Sequence, residues 1–410
     1  MASSQRPLPG VRLGELRTCH WKRYTHSRID SLDQLLVPGC EWHITPLGRS
    51  YFVNHNTCTT SWNKPTLERP PWSLRPECII KAHANIIWSL AYLDTSRTVM
   101  SALGDGSNGS IHQWTMDGKT VGRPWLSDGR VVGSIAVSPD EMMVTSGSID
   151  GRIRLWDIKK GRIIGDPWKG HDALVKCLDW SPNGQEIASG SNDGTIRRWN
   201  PGTGRQIAPP INVYQGWVCS VKYSPPGDKF TSGAADGTIC VWSKNGELLI
   251  KIKAHDDGYW IAALCWTKDG SCILSGSRDC TIRKWRSIDG EELSVLRGHT
   301  RTVTSICLSL DGCHIISASN DCSVRIWDLN TSKPVGEPLL HDDDVTTLAM
   351  SLDGQYVASG GLDRNIYLWN LEAALKQSNN QVCLPIYLVI SILSNLTKFR
   401  AHMMTMRSLI

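Results

Sequence analysis

The chain has 410 residues, enough for two or more domains or for one large domain with appendages. With 40% hydrophobic and 20% charged residues it has the composition of a soluble globular protein, and 44 basic against 39 acidic side chains leave a net charge of only +5. That balance demands neither nucleic-acid binding nor attachment to a membrane surface.

Two residue counts are informative beyond this. Eighteen Trp against three Phe is a demand for indole itself, since a core chosen for apolar volume alone would use Phe at least as often. Fourteen Cys form no C-x-x-C pair, and the N-terminal "MASSQRPLPGVRLGEL" has no apolar run of a signal peptide. Free thiols in a reducing compartment, cytoplasmic and/or nuclear, are therefore expected.

Residues 1–33 are basic, lack apolar periodicity and read as disordered, with "RPLP" at most a short extended patch. Residues 34–67 differ. In "GCEWHITPLGRSYFVNHNTCTTSWNKP" the runs "CEWHI", "SYFVNH" and "TTSW" alternate as strands, with turns expected at "TPLG" and "NHNT". Three strands with an aromatic face make a small sheet of marginal stability.

This stretch resembles the WW domain family, which binds proline-rich peptides. The resemblance implies that Tyr51 and Trp62 form an aromatic clamp for two prolines, and a polyproline II ligand suits it because little entropy is lost on binding. It also implies that Val53 and His55 shape a pocket for the Tyr of a Pro-Pro-x-Tyr ligand, that Thr60 adds a hydroxyl beside the clamp, and that Phe52, Asn54 and Pro65 hold the sheet together. Two anchors depart from the family: Cys40 stands where its first Trp would be, and Val37 where a Pro would be. Loss of a buried Trp costs about 3–5 kcal/mol. Either Trp42, two residues along the same strand face, replaces that support by leaning over Pro65, or the module no longer folds.

Residues 68–76 form a proline-rich linker, a semi-rigid spacer. From there a repeat takes over. "SIDGRIRLW", "SNDGTIRRW", "AADGTICVW", "SRDCTIRKW", "SNDCSVRIW" and "GLDRNIYLW" place an Asp at 150, 193, 236, 279, 321 and 363, each with a Trp six residues later. A weaker seventh copy, "SNGSIHQW", precedes them with Asn108 for Asp and Trp114 in register. Each unit reads as four short runs separated by turn chemistry, as in "LVKCLDW", "QEIASGS", "TIRRW" and "RQIAPPI". Such a unit cannot bury both its faces alone, so neighbours must stack, and seven units closing on themselves leave no long open edge.

A His 22 residues before the Asp and a Ser four before it complete sets at His171, Ser189, Asp193 and Trp199; at His299, Ser317, Asp321 and Trp327; and at His341, Ser359, Asp363 and Trp369. A fourth set, His255, Ser275, Asp279 and Trp285, has two residues inserted in "AHDDGYWI". Over residues 77–372 the chain thus resembles the WD-repeat family. The resemblance implies an all-β, seven-bladed propeller in which these four residues make a hydrogen-bonded tetrad inside each blade. A catalytic-triad reading of Ser, His and Asp fails on repetition, because a hydrolase needs one nucleophile in one cleft. Indole fills the blade and supplies one N–H to finish the network.

Asp128 and Tyr214 take the His position of the second and fourth units, so those tetrads, like that of the first unit, are expected to be incomplete and their blades weaker. The run "ECIIKAH" matches the strand ahead of each later His, while no such strand follows Trp369. Strand 77–82 is expected to fill that slot and join the two ends of the ring. Residues 373–410 fit no blade. Their "VCLPIYLVISIL", broken by Pro385, is too short for a bilayer and reads as an irregular tail, either a docking segment or a mis-joined end of the gene model.

Binding on a propeller is expected in its loops. Three residues after the His position, with the two inserted residues of "AHDDGYWI" left out of the count, stand Ile86, Val131, Leu174, Trp217, Trp260, Thr302 and Asp344, and just before the Asp stand Asn192, Arg278 and Asn320. In the family such positions lie on one face, and Trp217, Trp260 and Arg278 are of the types most enriched in binding hot spots. The expected function is a non-catalytic protein-interaction scaffold with no cofactor, metal or small-molecule substrate, whose WW-like module recruits a proline-rich peptide. A propeller enzyme, quinone-dependent dehydrogenase or glycosidase, is the alternative from another class, and only the lack of an unused carboxylate pair, metal cluster or nucleophile motif counts against it. Chromatin or nucleic-acid binding is disfavoured by the mild charge. Phrases such as "SKPVGEPL" resemble the repeat tails of fungal WD-repeat proteins.

Overall fold

A computed structural model describes residues 40–44, 50–54, 59–61, 74–82, 85–104, 109–127, 130–212, 216–255 and 258–380. The chain divides into two compact units, Met1–Trp72 and Ser73–Ile410. Asn108, Asp128, Tyr214, His55, Trp62, Val37 and Pro65 lie outside the described residues.

In the first unit, strands β1 (Cys40–Ile44), β2 (Ser50–Asn54) and β3 (Thr59–Ser61) form an antiparallel sheet in that order. These strands coincide with the three alternating runs of the sequence. Register pairs Trp42 with Phe52 and Cys40 with Asn54.

The second unit is a ring of seven antiparallel sheets, a seven-bladed β-propeller. The first strands of the blades are Ile87–Leu93, Val132–Val137, Val175–Trp180, Val218–Tyr223, Ile261–Trp266, Val303–Leu308 and Val345–Met350. Successive first strands adjoin one another, and that of the seventh blade adjoins that of the first, so they line the centre. Period-two alternation gives each blade two apolar faces, and seven hydrophobic clusters fill the seven gaps between neighbours. The cluster between the fifth and sixth blades, for example, joins Leu274, Ile282 and Leu296 to Val303, Ile315 and Trp327. Backbones approach closely there. A Cβ on Gly190 or Gly233, in the second strands of the third and fourth blades, would meet Val218 or Ile261 of the next blade at 2.6 and 2.7 Å, so only glycine fits.

The ring closes with a strand from its N-terminal end. Cys78–Ile80 pairs antiparallel with Ile366–Asn370 as the outermost strand of the seventh blade, with Ile80 opposite Ile366. Ile80 is buried between the seventh and first blades, in one cluster with Ile87, Trp114 and Leu368. Polar contacts reinforce this junction: Leu90 N–H donates to Thr347 Oγ1 at 3.1 Å, and Leu352 N–H to Asp94 Oδ2 at 2.6 Å.

The irregular tail expected from residue 373 needs correction over its first turns. Leu371–Asn380 is an α-helix, α1. Asn370 caps it by accepting from Ala373 N–H at 2.9 Å, and Leu371, Ala374 and Leu375 at helical spacing pack on the core of the sixth and seventh blades. Among the described residues no helix is long and apolar enough to cross a membrane.

Candidate functional site

All seven blades share one buried contact: the indole N–H of a third-strand Trp donates to a second-strand Ser. The distances are 2.9 Å for Trp114–Ser101, 2.8 Å for Trp156–Ser146, Trp199–Ser189, Trp242–Ser232, Trp327–Ser317 and Trp369–Ser359, and 2.9 Å for Trp285–Ser275. In three blades the chain of bonds runs on. Ser189 meets His171 Nε2 at 2.7 Å and His171 Nδ1 meets Asp193 at 2.8 Å; Ser275, His255 and Asp279 do so at 3.1 and 2.6 Å, and Ser317, His299 and Asp321 at 2.7 and 2.8 Å. Burial holds the His171 imidazole below its usual range, which favours the neutral ring. A neutral ring accepts from the Ser hydroxyl at Nε2 and donates from Nδ1 to the carboxylate, so every polar atom in the chain is used. Burial works against the charge of Asp321, but His299, Ser323 and Thr300 N–H outweigh it and hold that carboxyl low.

The seventh blade departs from the tetrad expected for it. Ser359 still meets His341 Nε2 at 2.9 Å, yet His341 Nδ1 stands 3.9 Å from Asp363. A difference in the third strand accompanies it. Where other blades carry Arg154 or Arg283, whose guanidiniums pair with Asp150 and Asp279 at 3.0 and 3.2 Å, this blade carries Tyr367. Its ring sits 4.1 Å from that of His341, and its hydroxyl donates to Asp342 at 3.1 Å. In the second blade, expected to be weakened at Asp128, the buried Arg154 pairs with Asp150 and holds its carboxyl low against the effect of burial.

The loop positions picked by spacing meet at one end of the ring. In six blades the residue before the Asp position donates its N–H to the carbonyl of the residue three after the His position, or five after it in the fifth blade with its two inserted residues. Asn192 bonds Leu174 at 3.0 Å, Arg278 bonds Trp260 at 3.1 Å, and Asn320 bonds Thr302 at 3.0 Å; Ile149–Val131, Ala235–Trp217 and Leu362–Asp344 complete the series. The Arg278 guanidinium lies over the Trp260 ring, 4.5 Å from its centroid, within cation–π range. Trp217 has Lys176 Nζ over it at 5.7 Å.

Lys176 lies outside the positions picked by spacing, and a bulge explains its place. Every first strand slips register by one residue near this end, and in the third blade the extra residue, between Val175 and Cys177, is Lys176. Tyr259, next to Trp260 and 44% exposed, is the second residue that spacing misses. Asp342, Asp343 and Asp344 make the seventh blade's part of this end acidic, although Asp344 is paired with Arg301 at 2.7 Å.

In the small sheet, register sets Val53 opposite Thr60 and Tyr51 opposite His43.

The model of the WD40 family, "WD domain, G-beta repeat", matches residues 126–157, 164–200, 209–243, 246–286, 290–328 and 332–370, and the model of the WW domain matches residues 39–65. No curated protein matches the chain. Each matched repeat begins with the outer strand of the preceding blade, so repeats and blades are offset by one strand. The first blade falls outside the matches; its Ser101 stands thirteen residues before Trp114 instead of ten, because its second hairpin is longer. The two kinds of module fit a protein-interaction scaffold. With six repeats covering more than half of its length, the chain belongs to the WD40 family, and it carries a WW domain in addition.

Proposed function

We propose that the protein is a non-catalytic scaffold whose ring binds a protein partner at its loop end and whose WW domain recruits a Pro-Pro-x-Tyr type peptide. The observation that carries this reading is the stack of Arg278 on Trp260 beside the exposed Tyr259, hot-spot residue types gathered at one end of the ring. Residues Trp217, Asn192, Asn320 and Thr302 belong to the same end through the backbone bonds above. For the WW domain, residues 34–67 supply Tyr51, Val53, His55, Thr60 and Trp62, the set that suits a polyproline II ligand.

The non-catalytic part of the reading rests on the use of the Ser–His–Asp sets inside blades, where each Ser already accepts from an indole. Ten free thiols among the described residues suit a reducing compartment, cytoplasm or nucleus. Two modest sites joined by the linker 68–76 raise effective affinity for partners able to engage both. A pull-down with the full chain and its Trp62→Ala and Trp260→Ala forms tests the reading. Each substitution is expected to remove a different set of partners; unchanged capture by both would refute it.

A further inference from the structure

Resting on the reading of the loop end as an interaction site, we infer that its sector over the third to fifth blades receives an acidic peptide segment of another protein. Arg278 and Lys176 are cations without a carboxylate within 4.0 Å among the described residues, although the ring elsewhere pairs its cations freely, as in Arg283–Glu292 at 3.0 Å and Lys222–Asp179 at 2.7 Å. Both are instead held over indole faces, Arg278 on Trp260 and Lys176 near Trp217. An arginine held over an indole face can also offer its N–H groups to a carboxylate in bidentate contact, and the rings beside it supply apolar area. Two cation–indole pairs on adjacent blades therefore offer alternating charge and aromatic surface, which matches a segment with carboxylates spaced between apolar side chains.

The rest of this end gives the segment a direction. Asp342 and Asp343 of the seventh blade leave an acidic sector apart from the cationic one. A uniformly charged polyanion such as a nucleic acid would be repelled there, whereas a peptide with its acidic residues confined to one part would not. The bulge at Lys176 is the device that presents this cation, and it belongs to this chain's own third repeat.

The test uses the full chain carrying Trp62→Ala, so that the WW domain selects nothing, against a phage-displayed library of random 12-residue peptides. Enrichment of peptides rich in Asp and Glu is expected. Their affinity should fall roughly tenfold or more on Arg278→Glu with Lys176→Glu, and fall also with added salt. Arg278→Gln serves where the double charge reversal melts early, and Arg297→Glu, on an exposed outer strand, should leave affinity unchanged. Neutral or basic enriched peptides that still need Trp260 would overturn the acidic assignment while keeping the interaction site. Peptides indifferent to both Trp217→Ala and Trp260→Ala would overturn the site as well. Equal, Arg278-dependent binding of a single-stranded 20-nucleotide RNA would overturn the choice of peptide.

Discussion

His341 Nδ1 stands 3.9 Å from the Asp363 carboxylate in the blade that closes the ring, whereas the three corresponding pairs lie at 2.6–2.8 Å. Tyr367 stands there at the position of Arg154 and Arg283 in the second and fifth blades, its ring 4.1 Å from that of His341. Burial, reinforced by Asp342 and Asp343 and only partly opposed by Tyr367 and Asn365 N–H, pushes the Asp363 carboxyl up to about 6.

The sign follows from linkage. A carboxyl raised in the folded state contributes its stability below the ordinary carboxylate range and loses it as pH rises through about 6. Asp363→Asn, which keeps the shape without the charge, should therefore stabilise the ring by about 2–3 kcal/mol at pH 8 and leave it unchanged at pH 4. Thermal melts at the two values check it, and equal melts at pH 8 would count against it.

Asp321→Ala should act the other way. Its carboxyl is held low, so its contribution is present above the ordinary carboxylate range and lost as pH falls through the folded value. Removing it strands His299 and Ser323, and a loss of about 1–3 kcal/mol is expected at pH 7 in urea titrations.

Arg154→Met should cost about 3 kcal/mol, because Arg154 is 1% exposed and its removal takes from the Asp150 carboxylate its buried, nearer cation. The exposed Arg152→Met, whose nearest approach to Asp150 is 4.0 Å, should change stability by no more than about 0.5 kcal/mol. Equal effects in parallel denaturant curves would contradict the role given to Arg154.

Ring closure predicts a contrast between neighbours. Ile80→Ala, at a position 2% exposed between two blades, should cost about 2–4 kcal/mol, while Ile79→Ala, 43% exposed, should cost less than about 0.5 kcal/mol. Chemical denaturation of the two variants gives the comparison directly.

For the WW domain, Trp62→Ala and Tyr51→Ala should each abolish binding of a Pro-Pro-x-Tyr peptide, read by fluorescence anisotropy, with the melt of the ring unaltered. Cys40→Trp should strengthen the small sheet. Retained peptide binding in Trp62→Ala would remove the clamp assignment.

The repeat makes the ring legible in the order of residues alone. An Asp and a Trp held six residues apart, with Ser four before the Asp, pin a turn, a strand and a buried N–H in one register, and chemistry of that kind is local to the chain. The three strands of the WW domain and the closing strand Cys78–Ile80 are readable for the same reason, as matches of short local patterns. The helix after Asn370 is masked in the sequence by the apolar run that follows it, although its cap and its spacing of Leu371, Ala374 and Leu375 are present. What only the tertiary structure decided are contacts and distances that the spacing of the repeat does not state. A tetrad whose four letters are all correct stays open beside Tyr367, Arg154 serves a blade whose His is missing, and Lys176 reaches Trp217 of the next blade through a bulge. Each depends on where a side chain settles once the blades are packed, and the last of them crosses from one blade to the next.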